Sequence, residues 1–166
     1  LRTGDFILYV GSRQRYKNYH RLLQAYRTWD RNREVDLVVV GAPATTVDRQ
    51  LDELLPAQGR VHYLGRVSDE TLCALYQAAR GFVYPSLEEG FGIPLLEALA
   101  SGGRVCASHI APFREVAGDA VDYFDPRDAG SIQQSLDRAL EAPPATAAAT
   151  DRIGARFSWD RCAEAY

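Results

Sequence analysis

The sequence FILYVG, residues Phe6–Gly11, is a short continuous apolar run that ends in a glycine. The sequence VDLVVVG, residues Val35–Gly41, ends in the same way. Continuous apolar runs of this length are typical of parallel strands that are buried on both faces of a sheet. We therefore predict strands at 6–10 and 35–40.

Between these runs, apolar side chains recur at helical spacing, at Tyr19, Leu22, Leu23, Tyr26 and Trp29. The three segments form one βαβ unit, whose crossover is right-handed in nearly all proteins. Further strands are predicted at 61–64, 82–84 and 105–107, and helices at about 46–56, 69–79, 93–101, 112–117 and 129–141. The alternation predicts an α/β fold with a Rossmann-like, doubly wound parallel sheet, in which ligands bind beyond the carboxyl ends of the strands.

The composition limits the possible functions. The 166 residues fit one domain, and a net charge of -3 with scattered basic residues argues against a nucleic-acid partner. The chain has no apolar run of the roughly 20 residues that a membrane span needs, and it does not begin like a signal peptide, so we expect a cytoplasmic protein. The absence of methionine suggests a piece of a longer polypeptide. Cys73, Cys106 and Cys162 are widely spaced, which favours buried free thiols over disulfides or zinc.

The segment EGFGIPLLEALASG, residues 89–102, is hard to explain by packing alone. Two carboxylates, Glu89 and Glu97, flank a glycine turn that leads into an apolar helix, where Pro94 suits the first turn. We expect positive φ angles at Gly90 and Gly92, and burial of Glu97, which is costly without a partner.

The start of that helix is suited to an anion, because free N–H groups and the helix dipole both favour negative charge. A carboxylate beside a phosphate would instead accept hydrogen bonds from hydroxyl groups. A molecule with hydroxyls on both sides of a phosphate is a nucleotide sugar. The residues therefore suggest ribose hydroxyls at one glutamate and sugar hydroxyls at the other.

Two further loops follow strands on the same edge of the predicted sheet. Residues 11–18 carry three cations, Arg13, Arg15 and Lys17, which either bind a phosphate or form an exposed basic loop. The loop lacks the glycine patterns of dinucleotide-binding and P-loop proteins. Residues 64–70 contain a glycine turn and a predicted N-cap, Ser68, and either contact a base edge or form an ordinary capped turn.

Other roles for these residues stay open at this point. The two glutamates could be the acid and base of a glycosidase, or could be a helix cap and a partner of some arginine. For His20, His62 and His109 a structural role is favoured over a catalytic one. The chain has no Asp-x-Asp pair to hold a divalent cation on a diphosphate, so we predict chemistry that is independent of metal.

The motifs together resemble the C-terminal, donor-binding half of GT-B glycosyltransferases of family 4. The pair of glutamates around Gly-Phe-Gly-x-Pro is the most specific of them. The other motifs occur in the family's order, at 9–11, 17–18, 38–41, 64–67, 84–86, 115–120, 124–126 and 157–159. Ser158, in the last of them, is a predicted N-cap of a final helix.

The resemblance implies a role for each matching residue. Glu89 would contact the hydroxyls of the donor sugar, Glu97 would hold the ribose hydroxyls, and Lys17 would neutralise the diphosphate. Backbone groups of the glycine turn would also contact the donor. Glu89 and Lys17 are the predicted catalytic pair. The other predicted donor-binding residues are Gly11, Ser12, Arg13, Arg15, Leu64, Gly65, Arg66, Gly90, Phe91, Gly92, Ile93 and Glu97. Family members often have an arginine where this chain has Ser12, so either Arg13 or Arg15 could substitute.

The resemblance also implies a reaction and its partners. Such enzymes transfer a hexose from a GDP- or UDP-linked sugar to an acceptor hydroxyl, with retention and without a cofactor. The acceptor, a saccharide or lipid-linked saccharide, would be bound by an N-terminal domain of the same polypeptide that is absent from residues 1–166. The full-length protein would be cytoplasmic, at the inner face of the membrane. A nucleotide-sugar epimerase or phosphorylase and a non-catalytic nucleotide-sugar-binding module are the alternatives.

Overall fold

The computed structural model describes residues 6–42 and 60–141. Six strands are present in this part of the chain: β1 Phe6–Gly11, β2 Asp36–Gly41, β3 Val61–Gly65, β4 Gly81–Tyr84, β5 Val105–Ser108 and β6 Asp122–Phe124. The α-helices are α1 Tyr19–Thr28, α2 Asp69–Ala78, α3 Ile93–Ala100, α4 Ala111–Ala117 and α5 Ala129–Glu141. A short 3-10 helix, Arg15–Lys17, precedes α1.

The strands form one parallel sheet in the order β3-β2-β1-β4-β5-β6. The chain moves outward from β1 to β3, then returns to the other side of β1 and continues from β4 to β6. The point where the direction reverses lies between β1 and β4. Ligands of doubly wound folds bind at this point, beyond the carboxyl ends of the strands.

Two apolar layers hold the sheet. One face packs against α1 and α5, and the other packs against α2, α3 and α4. The side chains of β1 alternate between the two layers, with Ile7 and Tyr9 in the first and Phe6 and Leu8 in the second. Full burial of an aliphatic side chain such as Ile7 or Leu8 contributes roughly 1.5–3 kcal/mol. The continuous apolar pattern of β1 thus reflects its central position in the sheet.

The predicted doubly wound α/β fold is confirmed. Each predicted strand is present within one residue of its expected bounds, and so are the five predicted helices that fall in the described part, including the one between β1 and β2. The sequence pattern missed β6, because its three residues begin with an aspartate and give no apolar run. The helix predicted at 46–56, the cap at Ser158 and the predicted buried thiol of Cys162 lie outside the described residues.

The structure tests the predictions about cysteine burial and about membrane-spanning segments. Cys106 is buried as expected, but Cys73 lies on the exposed face of α2, so the prediction that it is buried was wrong. Burial raises the pKa of the Cys106 thiol to about 11. Within residues 6–42 and 60–141, no helix is both long and apolar enough to cross a membrane.

Candidate functional site

An ion pair occupies the point where the chain reverses direction between β1 and β4. Lys17, in the loop after β1, donates from Nζ to Oε1 of Glu89, in the loop after β4, over 2.7 Å. Both side chains are largely enclosed, with 14% and 11% of their surface exposed. The two residues predicted to be catalytic are therefore in direct contact, although 72 positions separate them in the chain.

Two residues of the β4 end position this pair. The Tyr84 hydroxyl lies 3.3 Å from Lys17 Nζ, and the Ser86 hydroxyl donates to Glu89 Oε1 over 2.7 Å. Burial raises the pKa of Tyr84, and the neighbouring Glu89 raises it further, so the phenol stays protonated at neutral pH. Glu89 thus accepts one bond from an ammonium group and one from a hydroxyl.

The loop after β1 is also tied to the loop after β4 through Asn18. Among the described non-glycine residues, Asn18 is the one with a positive φ, 56°. Asparagine tolerates this left-handed conformation better than most residues. Its side-chain amide donates to the carbonyl oxygens of Pro85 and Pro126, over 3.0 and 2.7 Å. The backbone N–H of Leu87 donates to the carbonyl of Tyr16 over 2.7 Å. Lys17 is therefore held by its neighbours in the chain on both sides.

The glycine turn after Glu89 has one position where a residue other than glycine would be strained. Gly92 has a φ of 96°, and a Cβ atom there would lie 2.8 Å from the ring of Phe113. Gly90 does not have a positive φ, contrary to the prediction, and an added Cβ would meet no atom within 4 Å. Pro94 lies in the first turn of α3, as predicted, and no side chain of the described residues caps this helix at Gly92. The helix start therefore presents backbone rather than side chain to its surroundings.

Glu97 is exposed, and the prediction that it is buried was wrong. The helix α3 buries Leu95, Ala98 and Leu99 on one side and leaves Glu97 on the other. The Tyr76 hydroxyl, from α2, lies 3.4 Å from Glu97 Oε2. An exposed carboxylate has no desolvation cost that a partner must offset, so its presence on α3 does not by itself require a ligand.

The three cations of residues 11–18 have different surroundings. Arg13 donates to the Ala42 carbonyl over 2.8 Å, and its guanidinium lies over the rings of Tyr19 and Tyr63, at 5.9 and 5.5 Å. Arg15 is exposed on the 3-10 helix. Lys17 is bonded to the segment that follows β4. The three cations therefore have different partners in this structure, and phosphate binding by Lys17 with one of the two arginines stays a prediction.

The remaining residues of this loop belong to the end of β1. Gly11 is the last residue of the strand, and the carbonyl of Ser12 accepts a hydrogen bond of 2.5 Å from the Tyr9 hydroxyl. This bond ties the backbone of Ser12 to the side chain of Tyr9.

The second predicted loop, residues 64–70, lies at the edge of the sheet. Leu64 and Gly65 end β3, and both Leu64 and Arg66 are exposed. The Ser68 hydroxyl accepts from the Thr71 N–H over 3.3 Å, so the predicted N-cap of α2 is confirmed. Two strands, β2 and β1, separate this loop from the Lys17–Glu89 pair. Arg13 connects the two, because it reaches from the loop after β1 to the Tyr63 ring of β3.

Large apolar side chains are exposed on the same edge. In the described part of the chain the exposed large apolar residues are Tyr16, Leu64, Phe91 and Ile93. All four lie in strand ends, loops or helix starts at the carboxyl ends of β1, β3 and β4. Phe91 and Ile93 are about half exposed, at 47% and 51%, and flank Gly92. The predicted donor-binding edge is thus also the part of the described surface where large apolar groups concentrate.

The contacts of the histidines and of the two glutamates bear on the other roles that the sequence left open for them. His62 Nε2 lies 2.8 Å from Asp36 Oδ2 at the opposite, amino edge of the sheet, which fits a structural histidine. Glu97 has no arginine partner among the described residues, contrary to that alternative. Neither do the described histidines, cysteines and acidic residues form a group that could hold a metal ion. Glu89 contacts the ammonium group of Lys17 and the hydroxyl of Ser86.

The residues that position the pair were not singled out as site residues from the sequence. Tyr84, Ser86 and Asn18 occur in two of the motifs on which the resemblance rests, but their contacts depend on the strand order. A usable signal was present, since asparagine between a loop and a helix often marks a left-handed residue.

A comparison with known protein families agrees with the fold. The model of the family described as glycosyl transferases group 1 matches residues 2–155. The chain is therefore a member of the group 1 glycosyltransferases.

Particular relatives are similar over nearly the whole chain. O-antigen chain mannosyltransferase B of Escherichia coli is 38% identical over 164 residues, which cover 95% of this chain and 43% of the relative. O-antigen chain mannosyltransferase RfbU of Salmonella typhimurium is 31% identical, over 94% of this chain and 44% of the relative. The chain thus spans less than half the length of these two relatives.

Solved structures show the same fold. Sucrose-phosphate synthase of Thermosynechococcus elongatus superimposes with a TM-score of 0.83 at 25% identity, over 99% of this chain and 44% of the other. HepE of Anabaena, solved in complex with UDP and glucose, gives a TM-score of 0.83 at 20% identity, over 98% of this chain and 48% of the other. The doubly wound sheet therefore matches one half of GT-B glycosyltransferases.

Proposed function

We propose that residues 1–166 are the C-terminal, donor-binding domain of a family 4 glycosyltransferase that transfers a hexose from a nucleoside diphosphate sugar to an acceptor hydroxyl, with retention. The observation that carries the proposal is the Lys17–Glu89 ion pair at the reversal point of the sheet, beside the start of α3. A cation and a carboxylate side by side offer partners to both parts of such a donor, its phosphates and its hydroxyls.

Each residue has a proposed role that follows from its place. Lys17 binds the diphosphate as a compact positive charge, and the start of α3 adds its dipole and backbone N–H groups. Glu89 accepts hydrogen bonds from hydroxyls of the transferred sugar. Its contacts to Lys17 and Ser86 keep its carboxylate in place for that task.

The nucleoside lies, in this proposal, on the side of the sheet that leads to β3. Glu97 faces α2, where its exposed carboxylate is open to the two ribose hydroxyls. Residues 64–66 end the edge strand and offer backbone groups to the base. Arg13 is held beside Tyr63, which leaves Arg15 as the candidate to assist Lys17 on the phosphates.

The chemistry assigned to these residues is stabilisation of the leaving group. The bond between the anomeric carbon and the diphosphate oxygen breaks while a bond to the acceptor oxygen forms on the same face of the sugar. The acceptor proton passes to the departing phosphate. Lys17 and the α3 dipole stabilise the charge that develops there, and no metal ion is assigned a part. Glu89 orients the sugar and is not the nucleophile.

The donor and the partners are proposed from the relatives. That two relatives are named mannosyltransferases supports a mannose-like hexose as the transferred sugar. GDP or UDP as its carrier is proposed from the family resemblance. An N-terminal domain of the same polypeptide supplies the rest of the site and binds a saccharide or lipid-linked saccharide. The whole enzyme is cytoplasmic and acts at the inner face of the membrane. Residues 1–166 alone bind donor weakly and do not turn it over.

The test uses the longer polypeptide that carries this chain, incubated with GDP-mannose or a UDP-hexose and a neutral oligosaccharide acceptor. We expect a glycosylated product whose new linkage keeps the anomeric configuration of the donor, as read by NMR, in the presence of EDTA. An altered free sugar would instead support an epimerase, and binding without a product would support a non-catalytic module. Robust transfer by residues 1–166 alone would contradict the proposed division between domains.

A further inference from the structure

A second concavity opens at the carboxyl ends of β5 and β6, away from the proposed nucleotide side. Its volume is about 520 Å³, within the range of small-ligand sites. The residues that matter for its chemistry are His109, Tyr123, Asp125, Pro126, Arg127 and Ser131. None of them has a part in the donor site proposed above.

This cavity shares a wall with the Lys17–Glu89 site. The amide of Asn18, next to Lys17, holds the carbonyls of both Pro85 and Pro126. Pro85 follows Tyr84 at the end of β4, and Pro126 lines the cavity. The cavity and the Lys17–Glu89 pair are therefore neighbours that are joined through Asn18.

The cavity wall is held in place by its own hydrogen bonds. The Tyr123 hydroxyl donates to the Phe113 carbonyl over 3.0 Å, which fixes the ring that the His109 ring meets edge-on at 5.6 Å. The Asp125 carboxylate accepts from the Arg127 N–H over 2.8 Å, and the Asp125 N–H donates to the Ser131 hydroxyl over 3.0 Å. A ligand would thus meet preorganised groups, which lowers the entropic cost of binding.

The chemistry of the wall suits a neutral polyhydroxyl compound. Asp125 offers a carboxylate acceptor, Arg127 a planar set of donors, and Ser131 a hydroxyl that does both. The side chains of Asp125 and Arg127 are exposed, and their opposite charges leave the wall without a net charge that would select an anion. The rings of His109 and Tyr123 also line the cavity, and the Arg114 guanidinium lies over the Tyr123 ring at 4.9 Å. Hydroxyl groups that both donate and accept satisfy such a mixed set better than a phosphate does.

We infer that this cavity is a saccharide subsite, which binds a sugar unit of the acceptor glycan beyond the reacting hydroxyl. The inference rests on the proposed function, because it takes the donor sugar to lie at Glu89. The nucleotide then extends toward β3 and the acceptor glycan toward β6, on opposite sides of the reacting sugar. The subsite favours acceptors that are chains of sugars over single sugars.

The experiment follows backbone amide NMR shifts of residues 1–166 in two separate titrations, one with α-linked mannotriose and one with GDP or UDP. We expect mannotriose to shift amides at 109–110 and 123–131, and the nucleotide to shift amides at 11–18 and 89–97. Replacement of Arg127 by alanine should weaken mannotriose binding about tenfold, because hydrogen bonds to a charged group are lost. Nucleotide binding should not change.

A matched control is Arg33→Ala, which removes an exposed arginine at the opposite edge of the sheet. The inference is overturned if mannotriose causes no shifts at the cavity, if inorganic phosphate causes them instead, or if Arg33→Ala weakens mannotriose binding as much as Arg127→Ala. A nucleotide titration without shifts counts against the proposed function, and the mannotriose titration still decides whether the cavity binds saccharide.

Discussion

Glu89 and Glu97 flank the same glycine turn, yet they lie in opposite environments. The Glu89 side chain is 11% exposed and bonded to Lys17 and Ser86, whereas Glu97 is exposed with one long contact to Tyr76. A carboxylate that is built into the fold and one that is open to solvent differ in what their removal does. Changes at Glu89 should affect stability and function together, and changes at Glu97 should affect ligand binding alone.

The largest effect on stability is expected for Glu89→Ala. The change leaves the largely enclosed Lys17 without its carboxylate partner, which should lower the free energy of unfolding by about 2–3 kcal/mol. Glu88→Ala, at the exposed neighbouring position, is the matched control and should stay within about 0.5 kcal/mol. Urea denaturation measures both. Equal stability of the two variants would show that the ion pair does not hold the loops together.

The turn between the two glutamates provides the next comparison. At Gly92 an alanine would need a φ of 96° and would press against the Phe113 ring, so Gly92→Ala should cost about 1–3 kcal/mol. Gly90→Ala should cost less than about 0.5 kcal/mol, since its added methyl group meets open space. Thermal unfolding of both variants checks the difference. If Gly90→Ala proves the more damaging, the close approach of Gly92 to the Phe113 ring is wrong.

Tyr84→Phe tests how Lys17 is positioned. The variant keeps the ring that stacks on Phe113 at 4.8 Å and removes the hydroxyl beside Lys17, so it should lose about 1 kcal/mol of stability. Tyr16→Phe is the control, because the ring of Tyr16 also lies near Lys17, at 5.2 Å, but the side chain is 41% exposed. It should leave stability unchanged in the same denaturation assay. If Tyr84→Phe is as stable as the control, the Tyr84 hydroxyl does not stabilise the fold.

The smallest effect concerns the cysteines. At pH 8.5 iodoacetamide should alkylate exposed Cys73 and spare Cys106, whose pKa is raised to about 11 by burial. A raised pKa in the folded state means that the thiol stabilises the fold below its ordinary pKa, and that this contribution is lost as the pH rises through about 11. Peptide mass mapping distinguishes the sites. Alkylation of Cys106 in the folded protein would contradict its burial.

The fold followed from the sequence because its main signals are local. The apolar run at 6–11 and the helical spacing after it mark elements regardless of what surrounds them. The strand at 122–124 is too short to give such a signal, and it is defined only by its pairing with β5. Local pattern therefore predicts the long elements and fails at the sheet edge.

The sequence predicted that the loops after β1 and β4 lie on the same edge of the sheet, but it did not predict their individual contacts. Which of three cations meets Glu89 depends on the adjacency of β1 and β4, which the alternating pattern does not specify. Exposure of Glu97 could not be read from the sequence pattern, because the residues that share its face of α3 and are also exposed, Ile93 and Ala100, are apolar.

The most direct test of the central claim is calorimetric titration of residues 1–166 with GDP and UDP, for the unchanged chain, Glu97→Ala and Glu88→Ala. If the loop after β1, the start of α3 and Glu97 form a nucleotide-sugar site, one nucleotide binds and Glu97→Ala weakens it about tenfold or more, because a charged partner of the ribose hydroxyls is lost. Glu88→Ala should bind as the unchanged chain does, and both variants should unfold within about 0.5 kcal/mol of it. Nucleotide affinity that is unchanged by Glu97→Ala, or reduced equally by Glu88→Ala, would contradict the claim that Glu97 holds the ribose.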